Sequence, residues 1–205
     1  KATMKTLSAI LICCFISTIQ MYGENIQRPE SENYVKGVEA LNEGNPEAAY
    51  TYLNAEINEH PDNGYAHCYM ALICNFCNDT KLALQALNSS LELIPEADTE
   101  YRSFAHYSRG VLLTNLKMWE RAEADLNEAI RLNPEDVENY KSRAQLYFET
   151  ERYEESLNDL TRALKLDSKA DVNDLVLQLM AVAPTSEFME RITATYQQLD
   201  QVTIH

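Results

Sequence analysis

Cys74 and Cys77 stand three residues apart, the spacing of a dithiol redox pair. Such pairs act at a helix N-terminus, where the dipole and nearby cations hold a thiolate. Here they fall near the end of an expected helix, with no βαβ pattern around them. They read instead as small buried hydrophobes or, in an oxidising compartment, as a structural bridge. His67 and His106 recur in the matching strings Tyr65-Ala66-His67-Cys68 and Phe104-Ala105-His106-Tyr107. With Cys68 they offer zinc-type donors. No cluster at zinc spacing accompanies them, and their recurrence reads as one packing need met twice. The carboxylate pairs Glu120/Glu123 and Glu154/Glu155 read as solvated charge on exposed helix faces. No Gly-rich phosphate loop, nucleophile elbow or two-histidine zinc helix occurs. The reading is therefore no catalytic residue, no cofactor, no metal and no enzymatic activity.

The elements that carry these residues repeat. Pro61 and Pro95 are 34 residues apart, Pro95 and Pro134 are 39 apart, and Pro134 and Ser168 are 34 apart. The same steps separate Leu53, Leu87, Leu126 and Leu160, then Ala49, Ala83, Ala122 and Ser156, then Gly37, Ala71, Gly110 and Ala144. A fixed period of this size means stacked units. Within one unit, Phe104, Tyr107 and Val111 recur at helical spacing across 103–116, and Ala122, Leu126, Ala129 and Ile130 share a face across 119–132. Gly110 and Ala122 let two helices approach closely; Trp119, Leu126 and Ile130 are expected to fill the remaining core. Proline restricts the residue before it to extended geometry, so Asn133-Pro134 ends the second helix. Five extra residues lie within Glu96–Tyr101. If helical, they lengthen the following helix by about 7.5 Å with Asp98 as N-cap; if not, they form a loop. After Asp171 the period fades. Val172, Leu175, Val176, Leu179 and Met180 form one apolar stripe. A last helix, capped by Thr185 or Ser186, carries Phe188, Ile192, Tyr196 and Leu199. These read as a closing helix pair, since terminal units of an array are atypical.

Composition limits the rest. Of 205 residues, 45% are hydrophobic, and there are only five glycines and six prolines. That excludes wholesale disorder and gives too little punctuation for a many-stranded protein. The fold class is all-α. Residues 1–23 hold two lysines and no acid; beyond them 15 basic face 32 acidic residues. So acidic a chain does not suit nucleic acid or an anionic membrane surface. The uncharged run Leu7–Ile19 behind Lys5 is 13 residues long. It is too short for a membrane span, which needs about 20, and fits a secretory h-region. Residues 1–23 are expected to be a signal peptide and 24–29 a linker, with export to the periplasm or beyond; a membrane anchor through residues 7–19 is the alternative.

Gly110, Ala122, Leu126 and Pro134 stand in the eighth, twentieth, twenty-fourth and thirty-second places of their unit. Ala144, Ser156 and Leu160 follow in the next, with Tyr140, Tyr147 and Tyr153 at aromatic positions. Residues 103–168 resemble tetratricopeptide repeats closely, and 30–102 resemble them more loosely. Asn33, His67 and His106 depart from the usual bulky residue in the fourth place, and Ser168 from the last proline. The resemblance implies a tetratricopeptide-type helical-hairpin solenoid, a right-handed superhelix of four units (30–63, 64–102, 103–136, 137–170) closed by 171–205.

It also implies where a partner sits. First helices of such units line a concave groove. Tyr34, Val38, Tyr65, Leu72 and Asn75 are expected there from the first two units. Phe104, Tyr107, Val111 and Thr114 come from the third, and Lys141, Gln145 and Phe148 from the fourth. This is an aromatic stripe of a kind enriched at interfaces; the alternative is that several of its members are buried between repeats. Chaperone-binding relatives clamp a C-terminal carboxylate with Lys and Asn, where this chain has Tyr34 and Val38. The expected partner is thus a protein or peptide with apolar or tyrosine-anchored contacts, and no small-molecule substrate. Self-association, as a homo-oligomer, is the second reading.

Overall fold

The computed structural model describes residues 26–183 and 185–202. The expected signal peptide lies outside them, as do the side chains of Tyr196 and Leu199. All regular structure among the described residues is helical, in ten helices. They pair as α1 (Glu32–Asn42) with α2 (Pro46–Glu59), α3 (Gly64–Phe76) with α4 (Thr80–Leu93), α5 (Thr99–Asn115) with α6 (Trp119–Leu132), α7 (Val137–Glu149) with α8 (Tyr153–Leu166), and α9 (Asn173–Val182) with α10 (Ser186–Val202). The described residues divide into two compact units, one up to Ser108 and one from Arg109 on.

Each of the first four hairpins turns in the same way. Gly44, Asn78, Lys117 and Glu151 occupy the left-handed region, with φ of 72°, 62°, 58° and 60°. The next residue in each case donates its amide back into the finished helix: Asn45 to the Ala40 carbonyl, Asp79 to Cys74, Met118 to Leu113 and Arg152 to Tyr147, all at 2.8–2.9 Å. This left-handed C-terminal cap satisfies carbonyls that the helix end would leave open. The turn residues recur at the same 34-, 39- and 34-residue steps as the leucines. Side-chain N-caps then start several helices. Asn45, Asn63 and Asp79 accept from the amides of Ala48, Ala66 and Leu82 at 3.0–3.1 Å. Thr185 does the same for Phe188 at 3.1 Å.

Two of the small residues earn their place by contact. A Cβ on Gly37 would stand 2.6 Å from Leu53 Cγ, and one on Gly110 2.7 Å from Leu126 Cγ. Neither leucine can retreat, because both are fully buried. The close crossing of α1 on α2, and of the second half of α5 on α6, therefore requires glycine.

Of the residues Glu96–Tyr101 before the third pair, Thr99–Tyr101 are helical and lengthen its first helix, behind a turn at Glu96 and Ala97. α5 starts at Thr99 and runs for 17 residues. Asp98 caps it, accepting from the Tyr101 amide at 3.2 Å. In the second unit, Tyr140, Leu157, Leu160 and Leu164 form one core with Val172, Leu175, Val176, Leu179, Phe188 and Ile192. The closing pair α9–α10 thus seals α8. Trp119 differs from expectation. It is half-buried at the first position of α6, so Leu126, at 0% exposure, fills the core instead.

Candidate partner-binding surface

In the first unit the tyrosines expected to face a partner are packed against one another. Tyr34 is 7% and Tyr65 5% exposed, and Phe104 and Tyr107 are also buried. Tyr65 and Tyr101 meet edge to face at 4.8 Å, Tyr34 lies 6.1 Å from Tyr69, and Phe104 stacks on Tyr107 at 6.2 Å. These four are thus buried, the alternative expected for several members of the stripe, and each ring lies beside another aromatic ring of the chain. A phenol buried this way must find a polar partner. Tyr65 donates to Asp98 Oδ2 at 3.0 Å, and the hydroxyls of Tyr69 and Tyr101 share a hydrogen bond of 2.8 Å. Burial pushes the phenols of Tyr34, Tyr65, Tyr69 and Tyr101 above their ordinary range, and the Asp98 charge adds to this at Tyr65.

A segment of the same chain lies on this cluster. Residues 26–31 have no regular structure. From them Arg28 donates through Nε to Asp98 Oδ2 at 3.2 Å and through an Nη to Glu100 Oε2 at 3.2 Å. Its guanidinium also lies 4.6 Å from the centroid of the Tyr101 ring. Burial opposes the charge of Arg28, yet the hydrogen bond and charge of Asp98 carry its pKa above the ordinary value. Burial raises the Glu100 carboxyl, against the opposing pull of Arg28. The first turn of α5, with Tyr65 of α3, is therefore a box of aromatic rings and two carboxylates holding a guanidinium. The inserted residues Glu96–Tyr101 build it.

The remaining expected residues stay more open. Val38 and Leu72 are half-buried and Asn75 is exposed, beside Phe76 at 41%. In the second unit Val111, Thr114, Lys141, Gln145 and Phe148 are all half-buried. Lys141 donates to Glu138 at 2.8 Å, Gln145 to Glu149 at 2.9 Å, and Phe148 packs 5.7 Å from Tyr153. Thr114 turns back onto the Gly110 carbonyl at 2.9 Å.

Charge is tied into the second unit in a way that the residue pairs did not reveal. Arg109 forks onto Asp125 at 2.7 and 2.8 Å, and Arg143 forks onto Asp159 at the same distances. Both aspartates are 6% exposed. The two pairs are offset by 34 residues, so the signal was present in the sequence as a recurrence. Glu123 and Glu155 also depart from the solvated reading. Glu123 is half-buried, accepting from the Tyr147 hydroxyl at 3.1 Å and from Arg152 at 2.8 Å; Arg152 reaches Glu155 at 3.0 Å. Arg152 lies 4.2 Å from the Tyr147 ring centroid, a cation–π arrangement.

The cysteines and histidines do not assemble. Cys68 and Cys74 are buried free thiols and Cys77 is exposed. Burial pushes the Cys68 thiol up to about 12, which makes it inert rather than nucleophilic. His67 bonds the Pro61 carbonyl at 3.0 Å. Among the described residues no group of three His, Cys, Asp or Glu side chains is placed to hold a metal. No helix among them is long and apolar enough to cross a membrane.

Residues 103–136 and 138–169 match two models of the tetratricopeptide repeat. Neither describes an enzyme. Tetratricopeptide repeat protein 6 of Homo sapiens is 24% identical over 143 residues, which are 70% of this chain and 26% of that protein. The lipoprotein NlpI homolog of Haemophilus influenzae is 30% identical over 87 residues, 42% of this chain and 28% of that protein. The chain thus spans about a quarter of the length of the curated relatives it matches. The structure of MamA (41-end) from Desulfovibrio magneticus RS-1 superposes with a TM-score of 0.67 at 19% identity, over 83% of this chain and 94% of that one. The fold is that of a tetratricopeptide-type helical-hairpin protein, and proteins of that type mediate protein–protein interactions.

Proposed function

We propose that this chain is an exported scaffold that binds a protein or peptide segment on the first-helix faces of its hairpins. The observation that carries the reading is Arg28. A piece of chain without regular structure lies against α3 and α5, held by a bidentate-capable cation in a box of Tyr65, Tyr101, Asp98 and Glu100. A surface that receives one arginine-bearing segment has the charge to receive another. In the first unit the half-buried Leu72 and exposed Asn75 on α3 are further candidate contacts, and in the second unit Val111, Lys141, Gln145 and Phe148 are candidates of their own. A net charge of −15 agrees with a partner bearing basic residues. Export rests on the uncharged run behind Lys5 and is in keeping with a relative named as a lipoprotein. N-terminal sequencing of the protein recovered from cell fractions tests that part.

The binding reading is tested with Arg28→Ala and a synthetic peptide of residues 26–31. The peptide should perturb the amide resonances of Glu100 and Tyr101 in the variant and leave the native chain unmoved. Asp98→Asn added to the variant keeps the cap, since Asn and Asp cap equally well, and should abolish the perturbation. Equal response in all three proteins would contradict the reading. A second reading, self-association, draws on the same contact, because the segment of one copy can fill the box of another. Light scattering over a range of concentrations separates the two.

A further inference from the structure

Glu56 occupies a register position that the other hairpins fill with small residues. It is followed at steps of 34, 39 and 34 by Ser90, Ala129 and Ala163. All four are essentially inaccessible, at 1%, 0%, 0% and 0%. Packing at this position therefore needs no carboxylate. Asn63 Nδ2 donates to Glu56 Oε1 at 2.8 Å, while Asn63 Oδ1 caps α3. The other oxygen, Oε2, is buried and accepts no hydrogen bond from any described residue. Nor has the buried Ser31 Oγ a partner among them, and Ser31 does not cap α1 with its side chain. Both residues line a cavity of about 320 Å³, whose other walls are Pro29, Glu30, His60, Asp62 and Asn63. A buried carboxylate oxygen left without a donor is costly, and everything near it except the imidazole is neutral or anionic.

We propose that this cavity is a binding site for a primary ammonium group, contributed by a lysine side chain or by a chain N-terminus. The donor geometry selects the class. Oε1 already accepts from Asn63, which leaves Oε2 as the one oxygen without a donor, and a single open acceptor suits a point-like ammonium better than a planar fork that pairs with two. An ammonium has three donors and no acceptor, matching a cavity whose lining residues include Glu56 and Ser31, each with a buried oxygen that lacks a donor, and the carboxylates of Glu30 and Asp62. The described residues offer no three-ligand cluster for a metal. The cavity shares the segment 26–31 with the Arg28 box, but none of Arg28, Tyr65, Asp98, Glu100 and Tyr101 lines it, and its ligand is not the partner proposed above.

The experiment titrates the full chain, carbon-13 labelled, at constant ionic strength. The probes are Nα-acetyl-lysinamide, glycinamide and Nα,Nε-diacetyl-lysinamide. One or both ammonium probes should shift the Glu56 carboxyl carbon and the Ser31 and Asn63 amides saturably, and the one that does so identifies the source. The diacetylated probe should not. Glu56→Gln keeps the size and the Asn63 contact; Glu56→Ala installs what other hairpins carry. Each should weaken binding at least tenfold with an unchanged far-ultraviolet circular dichroism spectrum. The assignment is overturned by the absence of a saturable shift with either amine, by equal shifts on adding potassium chloride instead, or by undiminished binding in the Gln variant.

Discussion

Arg143 and Asp159 show how much one buried pair can hold. Asp159 is 6% exposed and both its oxygens take a guanidinium hydrogen bond. Removing the arginine strands a desolvated carboxylate. Because Arg143 itself is partly open to solvent, at 20%, Arg143→Ala should cost roughly 2–3 kcal/mol, somewhat less than breaking a fully buried pair. The double variant Arg143→Met with Asp159→Leu should recover most of that loss in a urea denaturation series. Asp136 makes a prediction with pH. Burial, chiefly, and the charge of Glu138 raise its carboxyl pKa, against the hydrogen bond it accepts from the Glu138 amide. The folded state therefore holds the proton more tightly than the unfolded one. That contribution is complete below the ordinary aspartate range of about 4 and is lost as pH rises through the raised value. Asp136→Asn keeps the cap without the buried charge. It should melt higher than the native chain at pH 7, and its advantage should vanish as pH falls below about 4. Neither Asp125 nor Asp159 stood out in the sequence, because an acid within a few residues of other acids looks like solvated charge. Only its recurrence with an arginine sixteen residues earlier marks it as paired.

At the scale of the element, the hairpin turn was the least legible part of a legible repeat. Proline, leucine and small-residue spacing placed the helices, since those residues answer to packing at a fixed period. The left-handed residue in the turn was not evident, because lysine and glutamate occupy it as well as Gly44 and Asn78. What forces the conformation is the amide returning to the preceding helix, not the identity of the side chain. Lys117→Gly and Glu151→Gly should each stabilise the chain by up to about 1 kcal/mol by removing the Cβ penalty. Gly110→Ala should do the reverse, costing about 1–3 kcal/mol through its approach to Leu126. Thermal denaturation of the three variants checks the signs. The inserted residues illustrate a different limit. Asp98 was recognisable as a cap, and the lengthened α5 follows from it. That the cap would also bind Tyr65 and Arg28 depends on residues 33 and 70 positions away in sequence.

For the molecule as a whole, the all-helical hairpin fold was legible from spacing and composition. The candidate surface was legible only in outline. Tyrosine at first-helix positions predicts an aromatic cluster, but whether it is open depends on what lies over it, and residues 26–31 carry no periodicity that would announce Arg28. The central claim is that a partner is held on the first-helix faces. The most direct measurement places a photo-crosslinking phenylalanine analogue, one position at a time, at Leu72, Asn75, Gln145 and Phe148, with Asn54 and Asn127 on second helices as controls, and irradiates cells producing the full chain. The account predicts discrete adducts to a second polypeptide from the first-helix positions and none from the controls. Adducts from the control positions alone, or none from any position while the protein remains folded, would contradict it.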